Sequence, residues 1–144
     1  MTSLREVGIL GTGSYVPDRV LTNADFERMV DTSDEWIVSR TGIKERRIAA
    51  PEQATSDLAF EAAKRALADA KTDPKDVDMI VVATVTPDHL VPSTSCIIQH
   101  RLGCVNAAAF DMEAACSGFV AALCNARAMI SSGFVKNVLV VGAE

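Results

Sequence analysis

Apolar residues along this chain follow two spacings, and each predicts a different element. Val7 to Gly11 is a short apolar run, ended by Gly-Thr-Gly-Ser and Pro17, and it reads as a strand. Asn23 is placed to cap a short helix over Ala24 to Val30. Ser33 is placed to cap a second over Asp34 to Arg40, with acidic residues in its first turn and Gly42 at its end. Lys44 to Ala49 is polar and extended. From Ser56 to Ala70 the apolar positions change to helical spacing, with Leu58, Ala59, Ala62, Ala63, Ala66, Leu67 and Ala70 on one face. Met79 to Thr86 is rich in β-branched residues and reads as a buried strand. A helix then starts at Ser93 or Thr94 and runs to Leu102, where Gly103 stops it. Ala107 to Met112 predicts a strand, Ser117 to Ser131 a helix and Val138 to Val141 a strand. The order β-α-β-α-β-α-β is that of an α/β fold with a mainly parallel sheet and buried helices.

Charge sharpens this picture because it is spread unevenly. Residues 1–78 hold 26 of the 33 charged side chains, and residues 79–144 hold 7. The second stretch is apolar with little alternation, as strands and helices covered on both faces are. It has too little polar surface for an outer layer of its own. The expectation is that a further part of a larger fold, or a tightly docked partner, covers it. The 144 residues are enough for one domain with a real core. The longest uncharged run, Ala114 to Ala126, is too short to span a bilayer. The N-terminus shows no signal-peptide pattern, so a cytoplasmic location is the default expectation. A net charge of −5 argues against nonspecific nucleic-acid binding.

The candidate chemistry is concentrated in two places. Cysteines stand at 96, 104, 116 and 124, with no CxxC pair and two histidines in the chain. A zinc site and a disulfide framework are both disfavoured, and buried free thiols are the default for all four. Cys116, in Ala114-Ala115-Cys116-Ser117-Gly118-Phe119, differs in falling at a strand–helix junction. There the N–H groups of a helix start favour an anion, and Gly118 permits close backbone approach. On residue types alone it is either a nucleophile or an inert thiol. The second place is Trp36 to Arg47. Trp36 and Arg40 are four apart, on one helix face, where an indole and a guanidinium could hold a flat base. Lys44, Arg46 and Arg47 add positive charge suited to phosphates. A solvated basic turn beside a half-buried tryptophan accounts for the same residues. Gly11-Thr-Gly13 is not a dinucleotide loop: the third glycine position is Val16, and Pro17 stands where a helix should open.

Taken together, TNADFERMVDTSDEWIVSRTGIKERRIA and AACSGF resemble β-ketoacyl-acyl carrier protein synthase III, a condensing enzyme of the thiolase-like superfamily. The resemblance runs from Gly8 to the last residue. It implies the first half of a two-part layered fold, with residues 1–144 incomplete without a second half. It implies that Cys116 is the nucleophile acylated by an acyl-CoA primer, and that Trp36 and Arg40 sandwich the adenine of CoA with Thr41 and Thr32 beside them. Val91 then reaches the partner subunit's acyl pocket in a homodimer. It implies malonyl-acyl carrier protein as second substrate and no metal or redox cofactor, the CoA thioester being a substrate. The family's catalytic His and Asn lie in its second half, and neither His89 nor His100 matches that motif. Two alternatives stay open: a related thiolase-like enzyme of secondary metabolism, and a non-catalytic CoA-binding half-domain.

Overall fold

The computed structural model describes residues 5–144 and contains two compact units. One is Val16–Gln53; the other is Ala54–Glu144 together with the N-terminal segment through Tyr15.

The first unit is a hairpin with two short helices. Strand β1 (Arg19–Thr22) pairs antiparallel with β2 (Glu45–Ile48), and between them lie α1 (Asn23–Glu27) and α2 (Asp34–Thr41). The sequence pattern does not reveal β1, because its residues are mostly exposed and carry no buried face. Thr22, not Asn23, caps α1: its hydroxyl accepts the Asp25 N–H while the Asp25 carboxylate accepts the Thr22 N–H. The helix also ends at Glu27, short of the expected Val30. Asn23 is instead buried as a hub. Its amide donates to Asp34 Oδ1 at 2.7 Å and to the Ile43 carbonyl at 2.9 Å, and its oxygen accepts from Arg46. Helix α2 follows the prediction. The Ser33 hydroxyl accepts the Trp36 N–H, and Gly42 closes the helix at φ 72°.

The second unit is built on a parallel sheet in the order β4-β3-β5, formed by β3 (Met79–Ala83), β4 (Ala108–Met112) and β5 (Val138–Gly142). Every residue of β3 is buried. Ile80 and Val82 face a cluster with Ala59, Ala63 and Leu67 of α3 (Thr55–Ala70) and Ile98 of α4 (Thr94–Leu102). Met79, Val81 and Ala83 face the opposite cluster with Ala122 of α5 (Gly118–Ser131). Burial on both faces is why this strand reads as an unbroken apolar run. Truncating a fully buried side chain such as Ile80 to alanine costs about 2–5 kcal/mol.

One expectation is corrected here. Val7 to Gly11 forms no strand. Its backbone is used against α3 instead: a Cβ at Gly11 would stand 2.4 Å from Ala70 N, and one at Gly13 would stand 2.3 Å from Ala66 N. Thr12 N–H donates to Asp69 and Arg65 donates to the Ser14 carbonyl, while Ile9 and Leu10 are exposed. Helix α5 agrees with the expectation that a further part or partner covers this stretch. It buries the stripe Gly118, Ala122 and Ala126, but Phe119, Val120 and Leu123 stay exposed.

Candidate active site

Cys116 stands where β4 gives way to α5. After Met112 the chain passes through Ala114 and reaches Ala115 at φ 44°. That left-handed backbone costs an alanine on the order of 1 kcal/mol. A single 3₁₀ turn, Ala115–Ser117, then leads into α5. Ser117 pins the turn twice: its N–H and its hydroxyl both donate to the Ala114 carbonyl, at 3.1 and 2.8 Å. The expected close approach at Gly118 is present, since a Cβ there would lie 3.1 Å from Ala83 Cβ. Gly142 makes a matching gap on β5 for the Phe119 ring. The result is a sharp strand-to-helix turn with its cysteine held out to solvent at the start of a 14-residue helix.

The default of four buried thiols is therefore corrected. Cys104 is buried, Cys96 is half-buried, and Cys116 and Cys124 are exposed. Burial, with Asp73 nearby, pushes the Cys104 thiol up, so it is a poor nucleophile. Cys124 lies two turns along α5, away from the junction. No group of three or more His, Cys, Asp or Glu side chains among the described residues is arranged to hold a metal ion. His89 and His100 are both exposed.

In the Val16–Gln53 unit, Trp36 and Arg40 do share a face of α2. The Arg40 Cζ lies 6.0 Å from the indole centroid, and both side chains are exposed. A flat ring between them needs two contacts of about 3.5 Å each, so an opening of roughly 1 Å admits one. Thr41 is largely committed elsewhere: its hydroxyl donates to the Ile37 carbonyl at 2.7 Å and accepts the Ile43 N–H at 3.0 Å, holding the end of α2. Thr32 is half-buried just ahead of α2. Two of the three cations expected to meet phosphates have other partners. Arg46 binds Asn23 and lies 4.6 Å over the Phe26 ring, and Arg47 donates to the Pro17 carbonyl and Glu45.

Val91 sits in the loop between β3 and α4. It and Leu90 are 87% and 90% exposed, at the tip of a segment whose ends are tied down. The Glu144 carboxylate accepts the Val85 N–H and the Thr86 hydroxyl proton, and Asp88 accepts the Ser56 N–H at 2.8 Å. At the far end, Asp111 of β4 accepts the N–H groups of Thr94 and Ser95, both at 2.8 Å. Residue types alone marked Asn23 only as a helix cap and did not single out Asp111.

A parallel sheet with an exposed cysteine on a strand-to-helix turn at its carboxyl edge is the arrangement of thiolase-like condensing enzymes, and solved structures of that class share this fold. A 3-oxoacyl-[acyl-carrier-protein] synthase III from Aquifex aeolicus superposes with TM-score 0.92 at 54% identity, over 94% of this chain and 44% of that one. The priming β-ketosynthase of the R1128 polyketide pathway superposes with TM-score 0.94 at 41% identity, over 99% of this chain and 42% of that one. The family profile described as 3-Oxoacyl-[acyl-carrier-protein (ACP)] synthase III matches residues 110–144. A β-ketoacyl-[acyl-carrier-protein] synthase III from Caldanaerobacter subterraneus is 65% identical over 137 residues, which is 95% of this chain and 41% of that protein. The chain thus matches the N-terminal part of the β-ketoacyl-acyl carrier protein synthase III family, and it spans about two-fifths of the length of the curated relatives it matches.

Proposed function

We propose that this chain is the primer-loading part of a condensing acyltransferase that starts fatty acid synthesis, acting on an acyl-CoA and malonyl-acyl carrier protein. The observation that carries this reading is the exposed Cys116 on its strained turn at the start of α5. The Cys116 thiolate attacks the thioester carbonyl of the primer. The carbon–sulfur bond to CoA breaks, and CoA leaves as a thiolate that takes up a proton. Malonyl-acyl carrier protein then loses CO₂, and its carbanion attacks the acyl-cysteine. The Cys116 thiolate is released and a β-ketoacyl product remains on the carrier. The Cys116 N–H is the donor this chain would offer to the tetrahedral oxyanion. The His and Asn that assist the second step in the family lie beyond the matched region. The CoA thioester is a substrate, and the scheme consumes no metal or redox group.

In this proposal Trp36 and Arg40 hold the adenine of CoA, with Thr41 and Thr32 shaping the ground beneath it. The enzyme works as a cytoplasmic homodimer in which Val91 bounds the partner's acyl pocket. The exposure of Val91 and Leu90 supports a contact outside this chain. The close fit to a polyketide priming synthase favours one second reading, loading of a primer for secondary metabolism.

Intact mass after incubation with acetyl-CoA and longer acyl-CoAs tests the proposal. A gain of one acyl group, mapped to the Cys116 peptide and lost in Cys116→Ala, is the expected result. CoA binding without an adduct would favour a non-catalytic protein, and an adduct on Cys124 would overturn the assignment.

A further inference from the structure

Asp111 lies on the face of β4 turned toward α4, in line with Ala109, which packs into the core below α4. A carboxylate there loses hydration that an apolar side chain would not need. The structure offsets this with two N–H donors at 2.8 Å from the first turn of α4, at the positive end of that helix. The Ser93 hydroxyl accepts the third N–H, from Cys96. Apolar packing is non-directional and lets a helix slide over a sheet, whereas two short hydrogen bonds to one carboxylate fix the helix start in place. Val91 precedes Thr94, the first residue so held, by three residues, and Cys116 follows Asp111 by five. The same carboxylate therefore ties the exposed Leu90–Val91 tip to the strand that delivers the nucleophile.

We propose that Asp111 is a positioning residue that sets the acyl-chain preference of the enzyme by holding the loop that carries Val91. The proposal rests on the reading of Val91 given above. Without the carboxylate the loop end loosens, the wall it forms yields, and longer primers gain relative to acetyl. Asp111→Asn keeps one acceptor and turns an N–H₂ toward the second backbone N–H.

The test compares kcat/KM for acetyl-CoA and for a series up to dodecanoyl-CoA in the whole enzyme, for wild type, Asp111→Asn and Val91→Phe. A change confined to stability lowers the amount of active enzyme equally for all primers and leaves their ratio unchanged. Asp111→Asn is expected to shift that ratio toward longer primers by at least threefold, and Val91→Phe to shift it toward acetyl. A lower Tm with an unchanged ratio in Asp111→Asn, while Val91→Phe does shift it, overturns the proposal alone. An unchanged profile in Val91→Phe overturns the reading of Val91 and this proposal with it. Should Asp111→Asn fail to fold, Ser93→Ala removes the neighbouring N-cap bond more gently. It is expected to shift the ratio the same way by a smaller factor, and no shift overturns the role of this helix start.

Discussion

Replacing Gly118 with alanine sets two effects against each other. Gly118 has ordinary helical backbone angles, φ −56° and ψ −47°, so alanine there restricts the unfolded chain and favours the helix by about 0.5–1 kcal/mol. Against this, the new methyl would stand 3.1 Å from Ala83 Cβ, roughly 0.5 Å inside a normal carbon–carbon contact. Ala83 cannot retreat, being 5% exposed and held in register between Met112 and Gly142. The start of α5 must shift instead, and Cys116 precedes Gly118 by two residues. Misplacing a reacting atom by 1 Å can cost on the order of a hundredfold in rate, so half that shift costs on the order of tenfold. Gly118→Ala is expected to melt within about 2 °C of wild type while loading acetyl from acetyl-CoA about tenfold more slowly. Calorimetry gives the first quantity and intact mass against time the second. Wild-type loading would show that the approach of α5 to β3 does not set the position of the nucleophile.

Three further predictions follow from the geometry. Under the proposed adenine contact, Trp36→Ala and Arg40→Ala should each raise KM for the primer by about tenfold with little change in kcat, since base stacking is worth about 1–3 kcal/mol and the adenine would be remote from the breaking bond; steady-state kinetics would refute this by a loss confined to kcat. Iodoacetamide at neutral pH should modify Cys116 and Cys124 well before Cys104, whose thiol is buried and pushed up, and peptide mapping that finds Cys104 among the first modified would contradict the packing described. The backbone N–H groups of Asn137 and then Lys136 hold the Asp78 carboxyl below the usual carboxylate range. Its contribution to stability is therefore present above an unfolded value of about 3.9 and lost as pH falls through the lower folded value. Asp78→Asn should melt below wild type at pH 7, with the gap closing in acid; a gap that widens in acid would show that the sign is wrong.

The parts of the fold legible in sequence are those where one local signal decides. Helix α4 has Ser93 before it and Gly103 after it, and both act as expected. β3 announces itself because both of its faces are buried. Val7 to Gly11 misleads because a strand needs a partner ladder, which five apolar residues cannot specify. Here Gly11, and Gly13 just beyond the run, serve contact with α3 instead. Asn23 resembles a cap, yet its burial depends on Asp34, Ile43 and Arg46, up to 23 positions away. Asp111 is illegible for the same reason, since a single acid in a strand does not reveal what it faces. The cysteine turn was legible as a junction. Its left-handed Ala115 was not, because alanine carries no preference for that conformation.

The three parallel strands finish level with one another, Ala83 lying opposite both Met112 and Gly142. The segments that carry Val91, Cys116 and Glu144 all depart from that common rim. Variation can therefore act on each segment separately, lengthening one or changing its residues, while the sheet beneath keeps its register. Under the proposed roles of Val91 and Cys116, substrate choice and bond-making chemistry can diverge at different speeds on one unchanging platform.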